Sequence, residues 1–134
     1  MSSKRVRVML GGEVIAESSR AYRVLETSHP PTWYIPRADV RMELLEATRK
    51  SSFCEWKGRA SYWTVGEAQN AAWSYESPNA SFAAIQGHVA FYPSRFECYV
   101  DDERVTAQPG DFYGGWITQD IVGPFKGGAG TSGW

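Results

Sequence analysis

The chain has 134 residues, 43% of them hydrophobic and 22% charged, with a formal net charge of -1. That length is enough for one domain with one core. The near-neutral charge argues against a broad basic surface for nucleic acid or membranes, and no apolar run reaches spanning length.

Val6 to Leu10 and Glu13 to Glu17 flank Gly11-Gly12, a two-residue hairpin signal, because type I′ turns need positive φ twice. In that register Val8 faces Ile15, with Arg5 and Arg7 on the other side. Arg20 to Thr27 reads as a third strand with Tyr22 and Val24 on its apolar side. His29-Pro30-Pro31 breaks it, and Thr32 to Ile35 resumes extended structure. One helix is predicted near residues 37–47. Pro36 or Asp39 starts it, and Val40, Leu44 and Leu45 form its apolar stripe.

The chain then turns β again. Cys54 to Lys57 and Ala60 to Val65 flank a tight turn at Gly58-Arg59, and Ala71 to Tyr75 adds a strand. Ser77-Pro78-Asn79 is a turn, Ser81 to Ile85 a single helical turn, and His88 to Tyr92 and Phe96 to Val100 further strands. Asp101-Asp102-Glu103 caps a hairpin that returns through Arg104 to Ala107. The fold class is therefore mainly β, with compact curved antiparallel sheets and one short helix. Residues 1–107 read as a single β-rich domain. Residues 108–134 hold eight of the thirteen glycines, yet also Phe112, Tyr113, Trp116, Ile117 and Phe125. They read as an arm packed over the domain or onto a partner subunit, since a disordered linker lacks such anchors.

Charge is unevenly spread. Residues 1–50 carry nine Lys/Arg and six Asp/Glu (+3), and residues 51–134 carry five and nine (-4). A solvated face accounts for that. Met1 to Arg20 has no signal-peptide core, so a cytoplasmic location is expected. Two cysteines without a C-x-x-C cannot make a four-cysteine zinc site. Cys98 alternates with Phe96 and Val100 and reads as a small core hydrophobe.

The densest chemistry lies between residues 53 and 75, where Phe53, Trp56, Tyr62, Trp63, Trp73 and Tyr75 surround Cys54 and Lys57. That is more aromatic surface than core filling calls for in so small a chain. If Gly58-Arg59 is the turn, Cys54, Trp56 and Trp63 share one apolar face. Glu55, Lys57, Tyr62 and Thr64 share the other. A sheet with one buried and one wet side explains this pattern as well as a pocket wall does. In the pocket reading Lys57 supplies charge, Tyr62 a hydroxyl, and Trp33, Trp73 and Tyr75 the walls. Lys57 as a nucleophile needs a depressed pKa, and Cys54 as a catalytic thiol needs a nearby histidine. Glu26 and His29, the latter held in a proline turn, form a candidate acid–base couple. A plain surface histidine is the simpler reading. His88 reads as a sheet histidine. Asp101-Asp102-Glu103 reads as a hairpin tip rather than a cation site, because adjacent strand residues diverge. Gly128 to Gly133 matches G-x-G-x-x-G by letter only, since no helix follows to meet a pyrophosphate.

Three motif groups together resemble a known bacterial and fungal family. They are Arg23 to Thr27 with Pro31 to Pro36 and Asp39-Val40; Cys54 to Trp63; and Ala72 to Tyr75 with Gly87 to Tyr92. The chain is similar, over about residues 5 to 105, to the domain-of-unknown-function family four hundred and twenty-seven. Glu55 stands where many relatives carry proline. The resemblance implies a compact β-rich, tent-like fold. The paired zinc ligands of other tent-like domains are missing here, so no metal and no other cofactor is predicted. Some tent-like relatives bind small ligands in a tryptophan cage, which by analogy would draw on Trp56, Trp63 and Trp73. The family has also been labelled nucleotidyltransferase-like, a chemistry that needs clustered carboxylates for magnesium or manganese. Asp101, Asp102 and Asp111 substitute for these only in part. Three functions stand open: small-ligand binding, nucleotidyl transfer, and an interaction module that forms a homodimer through the aromatic surface and the C-terminal arm. Neither nucleic acid nor membrane is an expected partner.

Overall fold

Gly11 and Gly12 take φ of 59° and 83°, and so join β1 (Val6–Leu10) to β2 (Glu13–Ser18) in the expected hairpin. This is the computed structural model of the chain, and it describes residues 4–24, 31–54, 57–107 and 115–118. One register differs from the pattern. Val8 pairs with Ala16 and Met9 with Val14, so Ile15 occupies a bulge. The bulge turns two consecutive side chains inward, and Ile15 and Ala16 are both buried.

The strands continue as β3 (Tyr22–Val24), β4 (Thr32–Tyr34), β5 (Leu45–Cys54), β6 (Gly58–Val65), β7 (Ala68–Ser74) and β8 (Val89–Phe91). After them come β9 (Glu97–Val100), β10 (Glu103–Arg104), β11 (Thr106–Ala107) and β12 (Trp116–Ile117). All the pairings among them are antiparallel. One four-stranded sheet has the order β10-β9-β1-β2 and a second β5-β6-β7-β8, while β3-β4 and β11-β12 form two-stranded sheets. The β3-β4 hairpin docks on the second sheet through reciprocal hydrogen bonds between Ile35 and Val89 at 2.8 and 2.9 Å. The fold is mainly β.

The helix predicted near 37–47 takes another form. Two 3-10 turns, Arg37–Asp39 and Met42–Leu44, replace it, and β5 starts at Leu45. Sheet hydrogen bonding overrides helical spacing here. Val40 bridges Ala16 at the edge of β2, Arg41 N–H donates to Ile15 O, and Leu45 pairs with Val65. Asp39 anchors the first turn by accepting from Ser18 Oγ at 2.6 Å and from Arg20 at 2.9 Å. The short helical turn foreseen at 81–85 is a 3-10 segment, Ala80–Ile85.

The turn between β5 and β6 also moves. Cys54 pairs with Gly58, so Lys57 lies in the connection rather than in a strand. The partner of Cys54 moves by five residues, from the expected Trp63 to Gly58, and an odd change of register exchanges the faces of a strand. Tyr62, expected on the wet face, is buried, and it packs in the same cluster as Cys54. Trp63, expected beside Cys54, points to the opposite side of the sheet.

Two cores result. The main one lies between the sheets and holds Val6, Val8, Ile15, Trp33, Val65, Phe91, Phe96 and Cys98. The second covers the other face of the β5–β8 sheet with Tyr34, Ala60, Tyr62, Trp73, Tyr75, Ile85 and Ala90. Trp116 completes the main core at 1% exposure. Its indole N–H donates to Phe91 O at 3.0 Å and its backbone N–H to Pro31 O at 2.8 Å. Residues 108–114 and 119–134 lie outside the described residues.

Trp116→Ala should therefore cost about 3–5 kcal/mol, the usual range for truncating a buried aromatic. Urea unfolding followed by circular dichroism measures this. A loss below about 1 kcal/mol would mean that Trp116 is not a core residue.

Candidate functional site

Pairing across the second sheet builds the aromatic cluster. Tyr62 stands opposite Trp73, and Trp73 opposite Ala90. The small Ala90 carries little side-chain volume into this row. Tyr34 meets Trp73 edge-on, with ring centroids 6.3 Å apart at 88°, and lies 6.2 Å from Tyr75. Trp73 and Tyr92 are closer, at 4.5 Å. Such offset and edge contacts suit the ring quadrupoles.

Polar groups stand at the margins. The Tyr62 hydroxyl is 2.9 Å from Ser52 Oγ, and Lys50 Nζ lies 4.5 Å over the Tyr62 ring. Lys57 is only 6% exposed. Its amine lies 5.5 Å from the centre of the Phe82 ring, and Phe82 itself packs on the cluster. The connection is held in place by Lys57 O, which accepts from Asn79 N–H at 2.9 Å. Gly58, at φ 112°, lets the chain pass the Ser77–Asn79 backbone; a Cβ there would lie 3.4 Å from Ser77 O. At another margin the His88 ring meets Tyr22 edge-on at 5.8 Å, while its Nδ1 is 3.2 Å from Gln86 O.

Of the residues singled out in the sequence, Tyr62, Trp73 and Tyr75 come together in this cluster, with Lys57 at its edge. Trp33 does not join them. It is buried in the main core, 6.3 Å from Trp116 and 5.9 Å from the Arg23 guanidinium. Glu26, His29, Glu55 and Trp56 lie outside the described residues. A cage shared by Trp63 and Trp73 is not formed, because Trp63 pairs with Ala72 and faces the main core. Tyr34, Tyr92 and Phe82 are cluster members that sequence reading passed over. Tyr34 follows Trp33 directly, and period-two alternation alone gives it the opposite face.

A second polar arrangement crosses the edge of the main core. Trp63 Nε1 donates to Ser74 Oγ at 3.0 Å, and Ser74 Oγ donates to Glu76 at 2.6 Å. Arg37 binds Glu76 with one nitrogen at 2.8 and 3.1 Å and stacks 5.2 Å from the Trp63 ring. Burial pushes the Glu76 carboxyl upward. The hydrogen bonds from Ser74 and Arg37, and the charge of Arg37, outweigh it and hold the group below the ordinary range. Burial raises the Cys98 thiol far above its ordinary value, which keeps it unreactive.

Asp101 and Asp102, at φ 48° and 70°, form the hairpin tip. Both are tied to Arg5, Asp101 through the Arg5 backbone N–H and Asp102 through the guanidinium. Among the described residues no three His, Cys, Asp or Glu side chains stand together as a metal site. A shallow polar depression of about 400 Å³ lies on the outer sheet surface, between Glu46, Thr48, Thr64 and Asn70. Among the described residues no helix is long and apolar enough to cross a membrane.

The model of a protein family described as "Domain of unknown function (DUF427)", and labelled NTP_transf_9, matches residues 1–102. The chain belongs to that family. No curated protein matches it.

The depressed Glu76 sets a direction for pH dependence. A carboxyl lowered in the folded state adds stability above its unfolded value, near 4.5, and that stability is lost as pH falls through the folded value. Glu76→Gln should therefore flatten the decline in melting temperature between about pH 5 and pH 3. Parallel declines in variant and parent would show that Glu76 contributes nothing to acid sensitivity.

Proposed function

We propose that the aromatic cluster and Lys57 bind a small ligand. One observation carries the reading: a lysine side chain is held almost wholly out of water beside a cluster of tyrosines and a tryptophan. The Lys57 amine lies over the Phe82 ring, so the cation stands directly against the aromatic surface. A charged group at the edge of aromatic walls is how pockets combine area with orientation. In this reading Lys57 attracts an anionic or strongly polar group. Tyr62 contributes its hydroxyl, already oriented by Ser52, and Trp73, Tyr75 and Tyr34 contribute apolar wall. Glu26 and His29 keep their place as candidates from the sequence.

The alternative of magnesium- or manganese-dependent nucleotidyl transfer draws on the family label. Its chemistry calls for clustered carboxylates, and the described residues bring no such cluster together. The ligand reading has the described geometry behind it.

Native mass spectrometry of the freshly purified protein tests it. A small molecule should be retained and then released on mild denaturation. Lys57→Met, which nearly conserves volume, should lose that molecule with little change in melting temperature. A sharp fall in melting temperature would make the lysine structural, and a clean apo mass in the parent would count against tight binding.

A further inference from the structure

Strand β5 lies at the edge of its sheet and, among the described strands, pairs with β6 alone. Seven of its ten residues are exposed, so most of it is covered on neither face. An edge strand offers every second N–H and C=O to another chain, and natural proteins blunt such edges with cations and bulges. The first half of β5 carries both devices. The register slips between Ala47 and Ser51, and Arg49 and Lys50 stand in the slipped stretch. The second half carries neither. Ser51, Ser52, Phe53 and Cys54 run uncharged and in unbroken register against Ser61, Ala60, Arg59 and Gly58. Phe53 projects from this half at 69% exposure, against 36% for Val14, the other exposed large hydrophobic among the described residues.

We propose that Ser52–Cys54 pairs antiparallel with the same segment of a second copy, about a two-fold axis at Phe53. The axis stands perpendicular to the joined sheet, so cross-strand partners must share a face. With Phe53 on the axis, the two Phe53 rings stand opposite each other, and Ser52 faces Cys54 of the second copy. Aromatic cross-strand pairs of this kind are favourable. Charge selects this register among the possible self-pairings. The two Lys50 side chains fall six positions apart, about 20 Å at ~3.3 Å per residue and beyond the screening length of physiological salt. A register centred on Lys50 sets the cations face to face, and a parallel pairing runs them side by side. A net charge of -1 adds little general repulsion between copies. The contact is isologous and closes on itself.

Sedimentation velocity over a wide concentration range should show a concentration-dependent dimer. Phe53→Lys should raise its dissociation constant at least about tenfold, with the melting temperature of the monomer unchanged. Phe53→Cys in a Cys54→Ser background supplies a second readout. Antiparallel partners lie about 4.5–5.5 Å apart at Cα, within disulfide reach. Mild oxidation should therefore cross-link this variant much faster than Glu13→Cys, an exposed control on β2. A monomer at all concentrations would overturn the proposal. So would a dimer indifferent to Phe53→Lys, as one held by the C-terminal arm is expected to be, or cross-linking no faster than the control.

Discussion

The β7–β8 side of the β5–β8 sheet has to be covered on both faces, and the rest of the structure follows from that. Residues 71–75 are buried without interruption, and so is all of β8. Strands buried on both sides leave no place for polar alternation, and the layer on each face must be supplied by other parts of the chain. On one face the β1-β2-β9-β10 sheet packs down with Trp116. On the other, the β3-β4 hairpin and the Ala80–Ile85 turn close over the aromatic cluster. Ala72 stands between Trp63 and Phe91 on the main-core face and Ala90 opposite Trp73 on the other, and both are fully buried. Bulkier residues there would overpack a close-packed interior.

The same constraint explains why β4 matters so much in three residues. Trp33 enters the main core and Tyr34 the second one, so one short strand joins the two. Its outer bridge to Val89 and the hydrogen bond from Trp116 to Pro31 hold it at both ends. The position of Tyr34 against Trp73 and Tyr75 therefore depends on packing in the main core. A ligand site built on that cluster inherits the rigidity of the whole domain, which favours binding geometry over induced rearrangement.

The hairpins at Gly11-Gly12 and Asp101-Asp102 were legible in the sequence, because positive φ at two consecutive residues restricts the chemistry of a turn. So were β9, through its alternation, and β7, β8 and the short turn before β8, through the turn residues that bound them. The segment 36–48 was not. Its apolar spacing fits a helix, yet Val40 and Leu45 are claimed by sheet edges distant in sequence, and no local pattern encodes that claim. The face assignments around Lys57 failed for a related reason. The turn closes at Cys54 and Gly58 rather than at Lys57 and Ala60, and this odd shift of register sends Tyr62 inward and Trp63 to the other core.

The sequence by itself determined the β class, the aromatic character of the 53–75 stretch and the inert, buried nature of Cys98, because these rest on composition and short periods. Only the tertiary structure decided which aromatic residues stand together. Tyr34, Tyr62, Trp73 and Tyr75 meet through three separate strand pairings, whereas Trp33, adjacent to Tyr34 in the chain, is carried to the opposite face. Burial of Lys57 is likewise a property of the assembled layers. Its surroundings come from the Asn79 and Phe82 segment, more than twenty residues away, and no local propensity brings that segment into contact.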